Sequence, residues 1–154
     1  MEIISNMVEV HLFREVDKNL EFLLLKRSLG ELYEHMWQMV SGRIEEDEKA
    51  YKTALREVKE ETGLTVKKIW ALPNINSFYS PETDMINLIP VFAVQVDPHS
   101  KVILSDEHSE YKWVAKEECK KLLAWEGQRK SVDILFDYFN NYKEYLDLVE
   151  IKLH

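Results

Sequence analysis

Three carboxylates, Glu57, Glu60 and Glu61, fall within five residues of one another. On an α-helix the offsets 0, +3 and +4 project side chains onto one face, so this spacing predicts an acidic ridge. Ala50, Tyr51, Ala54, Leu55 and Val58 lie on a neighbouring face at helical spacing and predict a buried stripe beside it. Like charges at these offsets cost an isolated helix roughly a few tenths of a kcal/mol per pair. A purely structural helix gains nothing from that repulsion, although a solvated helix face tolerates it. A helix that holds a hard divalent cation requires it, because Mg²⁺ and Mn²⁺ take oxygen ligands.

The residues at either end favour the second reading. Gly63 followed by Leu64 has the pattern of a left-handed C-terminal cap with its apolar partner, closing the helix after Thr62. Gly42 ends the apolar pair Met39-Val40 and predicts a loop where the backbone turns or approaches a ligand. With Glu48 and Arg56 between them, the stretch from Gly42 to Leu64 resembles the Nudix hydrolase box. That box is Gly, five residues, Glu, seven residues, Arg-Glu, an aliphatic residue, any residue, Glu-Glu, any residue, Gly and an aliphatic residue. Gly42, Glu48, Arg56, Glu57, Val58, Glu60, Glu61, Gly63 and Leu64 meet every fixed position, over 23 of the 154 residues.

The resemblance implies hydrolysis of a diphosphate bond with Mg²⁺, or Mn²⁺, as cofactor. It implies Glu57, Glu60 and Glu61 as catalytic metal ligands, one of them able to take a proton from water. Arg56 joins the catalytic set by holding the carboxylates, through Glu57 or Glu48. Glu48 is an outer position, and the backbone around Ser41-Gly42 offers a carbonyl to the metal. Asp47 stands where family members often have glycine, but aspartate tolerates left-handed backbone better than most residues. The family often draws a further carboxylate from a later loop. Among Asp106, Glu107 and Glu110, the choice is Glu107, as a metal ligand and candidate base.

Two flanking segments narrow the substrate. Trp37-Gln38-Met39-Val40-Ser41-Gly42 and Glu107-His108-Ser109-Glu110-Tyr111-Lys112-Trp113 resemble segments of the bacterial dihydroneopterin triphosphate pyrophosphatases, also described as dATP pyrophosphohydrolases. This implies a nucleoside or pterin triphosphate split into pyrophosphate and a monophosphate. Dinucleoside polyphosphates and nucleotide sugars such as ADP-ribose are the alternatives. A non-catalytic nucleotide sensor is a third, and it would be expected to have lost box carboxylates. Trp37, Phe78 and Tyr79 are candidates to stack on a purine or pterin ring, although each also suits a core. Lys26 and Arg27 are candidates for the phosphates, or simply a solvated strand end. His35 and His108 read as structural or solvated histidines.

Around this box the chain reads as one domain, 1–154, of α/β class. The resemblance implies an α/β/α sandwich with a mixed sheet between helices. Strands are predicted over Ser5 to Arg14, Glu21 to Lys26 and Val66 to Leu72, while Met36 to Val40 is a short apolar stretch leading into the box. Further strands are predicted over Ile75 to Tyr79, Ile86 to Val96 and Tyr111 to Val114, with Pro90 marking an edge or a bulge. The run Phe22-Leu23-Leu24-Leu25 suggests a strand covered on both faces. Helices are predicted over Lys116 to Ala124 and from Ser131, with Ser131 as N-cap and Val132, Leu135, Phe136 and Phe139 as its stripe. The segment from Asn140 to His154 either extends that helix or frays.

Composition limits the partners. A net charge of −8 excludes a protein that coats nucleic-acid polymers, but permits an anionic small molecule bridged by a metal. The lone Cys119 excludes a disulfide framework. No apolar run approaches the ~18 residues of a membrane span, and the N-terminus lacks a secretory pattern, so a cytoplasmic setting is expected. A homodimer is compatible with the sequence.

Overall fold

A computed structural model describes residues 1–153. One mixed sheet carries helices on both faces. Its strands are β1 (Glu2–Ile4), β2 (Met7–Val16), β3 (Asn19–Arg27), β4 (Trp37–Gln38), β5 (Val40–Arg43), β6 (Val66–Ser80), β7 (Met85–Val96), β8 (His108–Val114) and β9 (Glu150–Ile151). The helices are α1 (Ala50–Thr62), α2 (Lys116–Leu122), α3 (Glu126–Asn141) and α4 (Lys143–Leu148). The central order is β4-β3-β2-β7-β6-β9, with β8 on β3, β5 on β2 and β1 on β7. β1 and β2 run parallel to β7, and the remaining pairings are antiparallel.

Alternation along the strands divides the core in two. Val8, Val10, Leu12, Leu23, Leu25 and Val94 face α1, where they bury Ala54 and Val58. Phe13, Phe22, Leu24, Trp70 and Val91 face α2, α3 and α4, where they bury Cys119, Leu135 and Phe139. The apolar run in β3 is thus covered on both sides, as its composition predicts. Full burial of an aliphatic side chain such as Val58 contributes about 1.5–3 kcal/mol, enough to outweigh the repulsion along the acidic ridge.

Several boundaries differ from the sequence reading. Gly42 lies in β5, paired with Val8, rather than opening a loop. β6 passes through Pro73 as one strand, with a register shift between Ala71 and Ile75. Pro90 lies opposite that shift, but β7 is not an edge. Its second partner changes from β1, ending at Asn87, to β2, beginning at Val91, and Pro90 falls in the gap. The last long helix begins at Glu126, not Ser131. Ser131 is buried inside it, accepting from Asn74 Nδ2 at 2.8 Å and donating to the Gly127 carbonyl at 3.1 Å. Polar residues on the sheet-facing side of the first turn hide that start from an apolar periodicity. From Lys143 to Ile151 the chain neither extends α3 nor frays: it forms α4 and β9, which pairs with β6, and His154 lies outside the described residues. Among the described residues no helix is long and apolar enough to cross a membrane.

Candidate active site

The acidic ridge forms on α1, and its two ends fix its position. At the C-terminus Gly63 adopts φ 69°, and its N–H bonds to the Lys59 carbonyl at 3.0 Å. Thr62 donates its hydroxyl to the Val58 carbonyl at 2.6 Å and accepts from the Leu64 N–H at 3.2 Å. At the other end, Asp47 takes a left-handed φ of 62°, and the tight turn brings Glu48 back over the helix. The Glu48 carboxylate accepts from the Glu45 N–H at 3.1 Å and the Thr53 hydroxyl at 2.7 Å.

Arg56 ties these parts together. It donates to Glu48 through Nε at 2.8 Å and Nη2 at 2.9 Å, and to the Arg43 carbonyl at 2.9 Å. Its Nη1 reaches Glu57 at 2.7 Å and Glu60 at 3.2 Å. The bidentate bond from Arg56 is the main reason the Glu48 carboxyl falls to about 2. Both oxygens of Glu48 are therefore occupied within the protein, and one guanidinium links Glu48, Glu57 and Glu60.

The three ridge carboxylates differ in surroundings. Glu60 is 57% exposed at its side chain. Glu57 is half-buried against Gly42, where an added Cβ would strike its side chain and come within 2.6 Å of Oε1. Burial raises the Glu57 carboxyl despite Arg56 beside it. Glu61 is turned into the protein, at 4% exposure. Burial, with the charges of Glu57 and Glu107 added, pushes its carboxyl up to about 9, against the opposing pull of Arg27 and the Ser41 backbone amide. Its Oε2 is buried with no hydrogen-bond partner.

The loop before β8 supplies the rest. The Glu107 carbonyl accepts from the Ser28 N–H at 2.9 Å, anchoring this loop to the end of β3. Ligand atoms of Glu61, Glu107 and His108 lie within 4.8 Å of one another. His108, which the sequence reading sets aside as structural or solvated, is buried here with Nδ1 unpartnered and 3.9 Å from Glu61 Oε1. Burial, aided by the charge of Arg27, holds its imidazole down at about 4, so it is neutral at pH 7. Nothing in its own spacing marks it; only its place after Glu107 could have done so.

A buried carboxylate oxygen without a donor, two further carboxylates raising its proton affinity and no Lys or Arg within bonding distance among the described residues make a set short of positive charge. Oxygen donors of this kind fit a hard divalent cation. Ser41 joins through its position: it pairs with Glu9, and its amide faces Glu61.

The candidate substrate residues divide. Trp37 is half-buried, with the Lys26 and Lys112 ammonium groups 5.9 Å and 4.8 Å from its ring centroid. It borders an open cleft of about 510 Å³, lined also by Ser109, Tyr111 and Lys112, beside the Glu107 loop. Lys26 also pairs with Glu110 at 3.4 Å. Arg27 is committed to the Leu32 carbonyl at 3.1 Å and to Glu31 at 3.3 Å, while its charge still reaches Glu61. Phe78 and Tyr79 do not join Trp37. β3, β2 and β7 intervene between β4 and β6, roughly 19 Å at about 4.8 Å per strand. As neighbours in a strand they also point to opposite faces. Tyr79 is held at the ribbon tip by its bond to Asp84 at 2.7 Å.

On this geometry the comparisons with known proteins bear directly. A family model described as the NUDIX domain matches residues 6–135. An asymmetrical bis(5'-nucleosyl)-tetraphosphatase from Rattus norvegicus is 31% identical over 129 residues, 79% of this chain and 83% of that protein. The crystal structure of a NUDIX hydrolase from Listeria monocytogenes is 28% identical with a TM-score of 0.74, covering 89% of this chain and 95% of its own. The dihydroneopterin triphosphate pyrophosphohydrolase of E. coli is 23% identical with a TM-score of 0.68, over 84% of this chain and 94% of its own. At that identity the likeness is one of fold alone.

Proposed function

The chain belongs to the Nudix family and is a hydrolase of pyrophosphate bonds, and from that premise we propose that it cleaves a dinucleoside polyphosphate asymmetrically, with Mg²⁺ or Mn²⁺. The observation that carries the proposal is the convergence of Glu61 from α1 and Glu107 from the β8 loop within 4.8 Å. On this reading Glu57, Glu61 and Glu107 hold the cation, with the Ser41-Gly42 backbone at its edge. When bound, the cation neutralises phosphate charge, orients the chain of phosphates and acidifies water. Gly42 leaves Glu57 room to lie against β5, and Arg56 holds Glu57 and Glu48 in register. On the same reading Glu60, the most exposed of the ridge, takes the proton from the attacking water. Lys26 and Lys112, over the Trp37 ring, supply positive charge beside the cleft for outlying phosphates.

The substrate class rests on the rat tetraphosphatase, which covers most of both chains. A second reading, a nucleoside or pterin triphosphate, rests on the Trp37-Gln38 and Glu107-to-Trp113 segments. Incubation with Mg²⁺ and a panel of diadenosine tetraphosphate, nucleoside triphosphates, dihydroneopterin triphosphate and ADP-ribose separates them by chromatography of products. Diadenosine tetraphosphate yielding ATP and AMP at the highest kcat/KM is the expected result. Pyrophosphate release from a triphosphate as the dominant reaction sinks the first reading and leaves the second.

A further inference from the structure

The acidic pocket contains one donor that is not an oxygen. His108 opens β8, where its backbone pairs with Arg27 on β3, and its side chain is 1% exposed. Its Nδ1 lies 3.9 Å from Glu61 Oε1, too far for a hydrogen bond. Both this nitrogen and Glu61 Oε2 are buried without any partner. Two buried polar atoms without partners on adjoining side chains are costly to leave unsatisfied. A single occupant that accepts electron pairs from both removes that cost.

The chemistry of the pair restricts the occupant. A neutral imidazole offers a lone pair on one nitrogen, and a carboxyl that gives up its proton as a cation binds offers only lone pairs. Two donors on one ion with bonds near 2.1 Å are separated by about 3 Å when adjacent and about 4.2 Å when opposite. The observed 3.9 Å falls in that range, and Glu107 brings a third donor within the same 4.8 Å group.

We propose that His108 is a nitrogen ligand to the divalent cation, so that the site favours Mn²⁺ and the later first-row ions over Mg²⁺. This deepens the cation site of the proposed function and rests on it. Imidazole suits transition ions, whereas Mg²⁺ is matched best by oxygen and water. The oxygen donors of Glu57, Glu61 and Glu107 alone would give no such preference.

Electron spin-echo spectroscopy of the Mn²⁺-loaded full chain tests this without turnover. Wild type carrying ¹⁴N histidine is expected to show a directly bonded nitrogen coupling that changes when only histidine is ¹⁵N-labelled. His108→Gln should abolish the coupling and lower the Mn²⁺-to-Mg²⁺ affinity ratio, by calorimetry, about tenfold or more. If the variant does not fold, the labelled wild type together with His11→Gln, His35→Gln, His99→Gln and His154→Gln assigns the coupling by elimination. Mn²⁺ bound with no histidine coupling in wild type overturns the nitrogen ligand while leaving the hydrolase reading intact. Absence of Mn²⁺ binding, together with full activity in Glu61→Gln, overturns both.

Discussion

Each face of the sheet buries a glutamate, and the two are treated in opposite ways. On the α3 face Glu9 is 4% exposed, but its oxygens accept from Asn76 Nδ2 and Gln128 Nε2, each at 3.0 Å. On the α1 face Glu61 is equally buried, has an oxygen with no partner, and is pressed by Glu57 and Glu107. Burial raises both carboxyls. Neutral amides complete the first, whereas the second keeps one oxygen without a partner among the described residues. A buried acid whose donors are all supplied by its own fold is part of the architecture. One left short of donors among other acids is a place prepared for a cation.

The largest expected effect contrasts these two residues. Glu61→Gln should lower kcat by about 10²–10³-fold, the range for removing a group essential to transition-state stabilisation, with the melting temperature of cation-free protein unchanged or higher. Glu9→Gln should leave kcat within about tenfold and lower stability, because one of its two amide donors loses its acceptor. Equal activity losses in the two variants would erase the contrast.

Next come the positioning devices. Arg56→Met removes the only cation bonded to Glu48, Glu57 and Glu60 among the described residues, and should cost about 10²-fold in kcat/KM and sharpen its dependence on added Mg²⁺. Gly42→Ala drives a methyl into Glu57, and Gly127→Ala drives one into Asn76 on the other face. The first should cost about 10–10²-fold in activity. The second should cost about 1–3 kcal/mol in denaturant unfolding with kcat retained, as for overpacking at a buried contact. An activity loss for Gly127→Ala matching that of Gly42→Ala would show that the faces are not separate in function.

The smallest effect concerns pH. His11, beside Glu9 on β2, is 2% exposed, and burial lowers its imidazole from 6.5 to about 4. Between those values the unfolded chain binds a proton that the native protein refuses. The contribution is therefore complete above pH 6.5 and is lost as pH falls towards 4, by roughly 1–3 kcal/mol. Urea titrations of wild type and His11→Gln should diverge only in that window, and parallel curves would contradict the assignment.

The two faces were also unequally legible in the sequence. The helix of the α1 face was readable because Glu57, Glu60 and Glu61, with Gly63 after them, impose local periodicity and a local cap. Asp47 in a left-handed conformation and Arg56 on Glu48 and Glu57 follow from the same short stretch. Glu107 was reachable through its segment, but His108 beside Glu61 depends on β3 pairing with β8, a contact distant in sequence. On the α3 face the polar trio Glu9, Asn76 and Gln128 comes from three remote elements and has no period at all. The same polar facing hid the start of α3 and made Ser131 look like a cap. Phe78 and Tyr79 attracted attention by residue type alone, and strand order places them away from Trp37.

The central claim is that Glu61 on the α1 face is completed by a divalent cation. Thermal unfolding of wild type, Glu9→Gln and Glu61→Gln, each with chelator and with saturating Mn²⁺, tests it most directly. The account predicts that Mn²⁺ raises the midpoint of wild type and Glu9→Gln by several degrees, since a ligand at 100 times its Kd stabilises by about 2.7 kcal/mol, and that most of this rise disappears in Glu61→Gln. A full Mn²⁺-dependent rise in Glu61→Gln would contradict it.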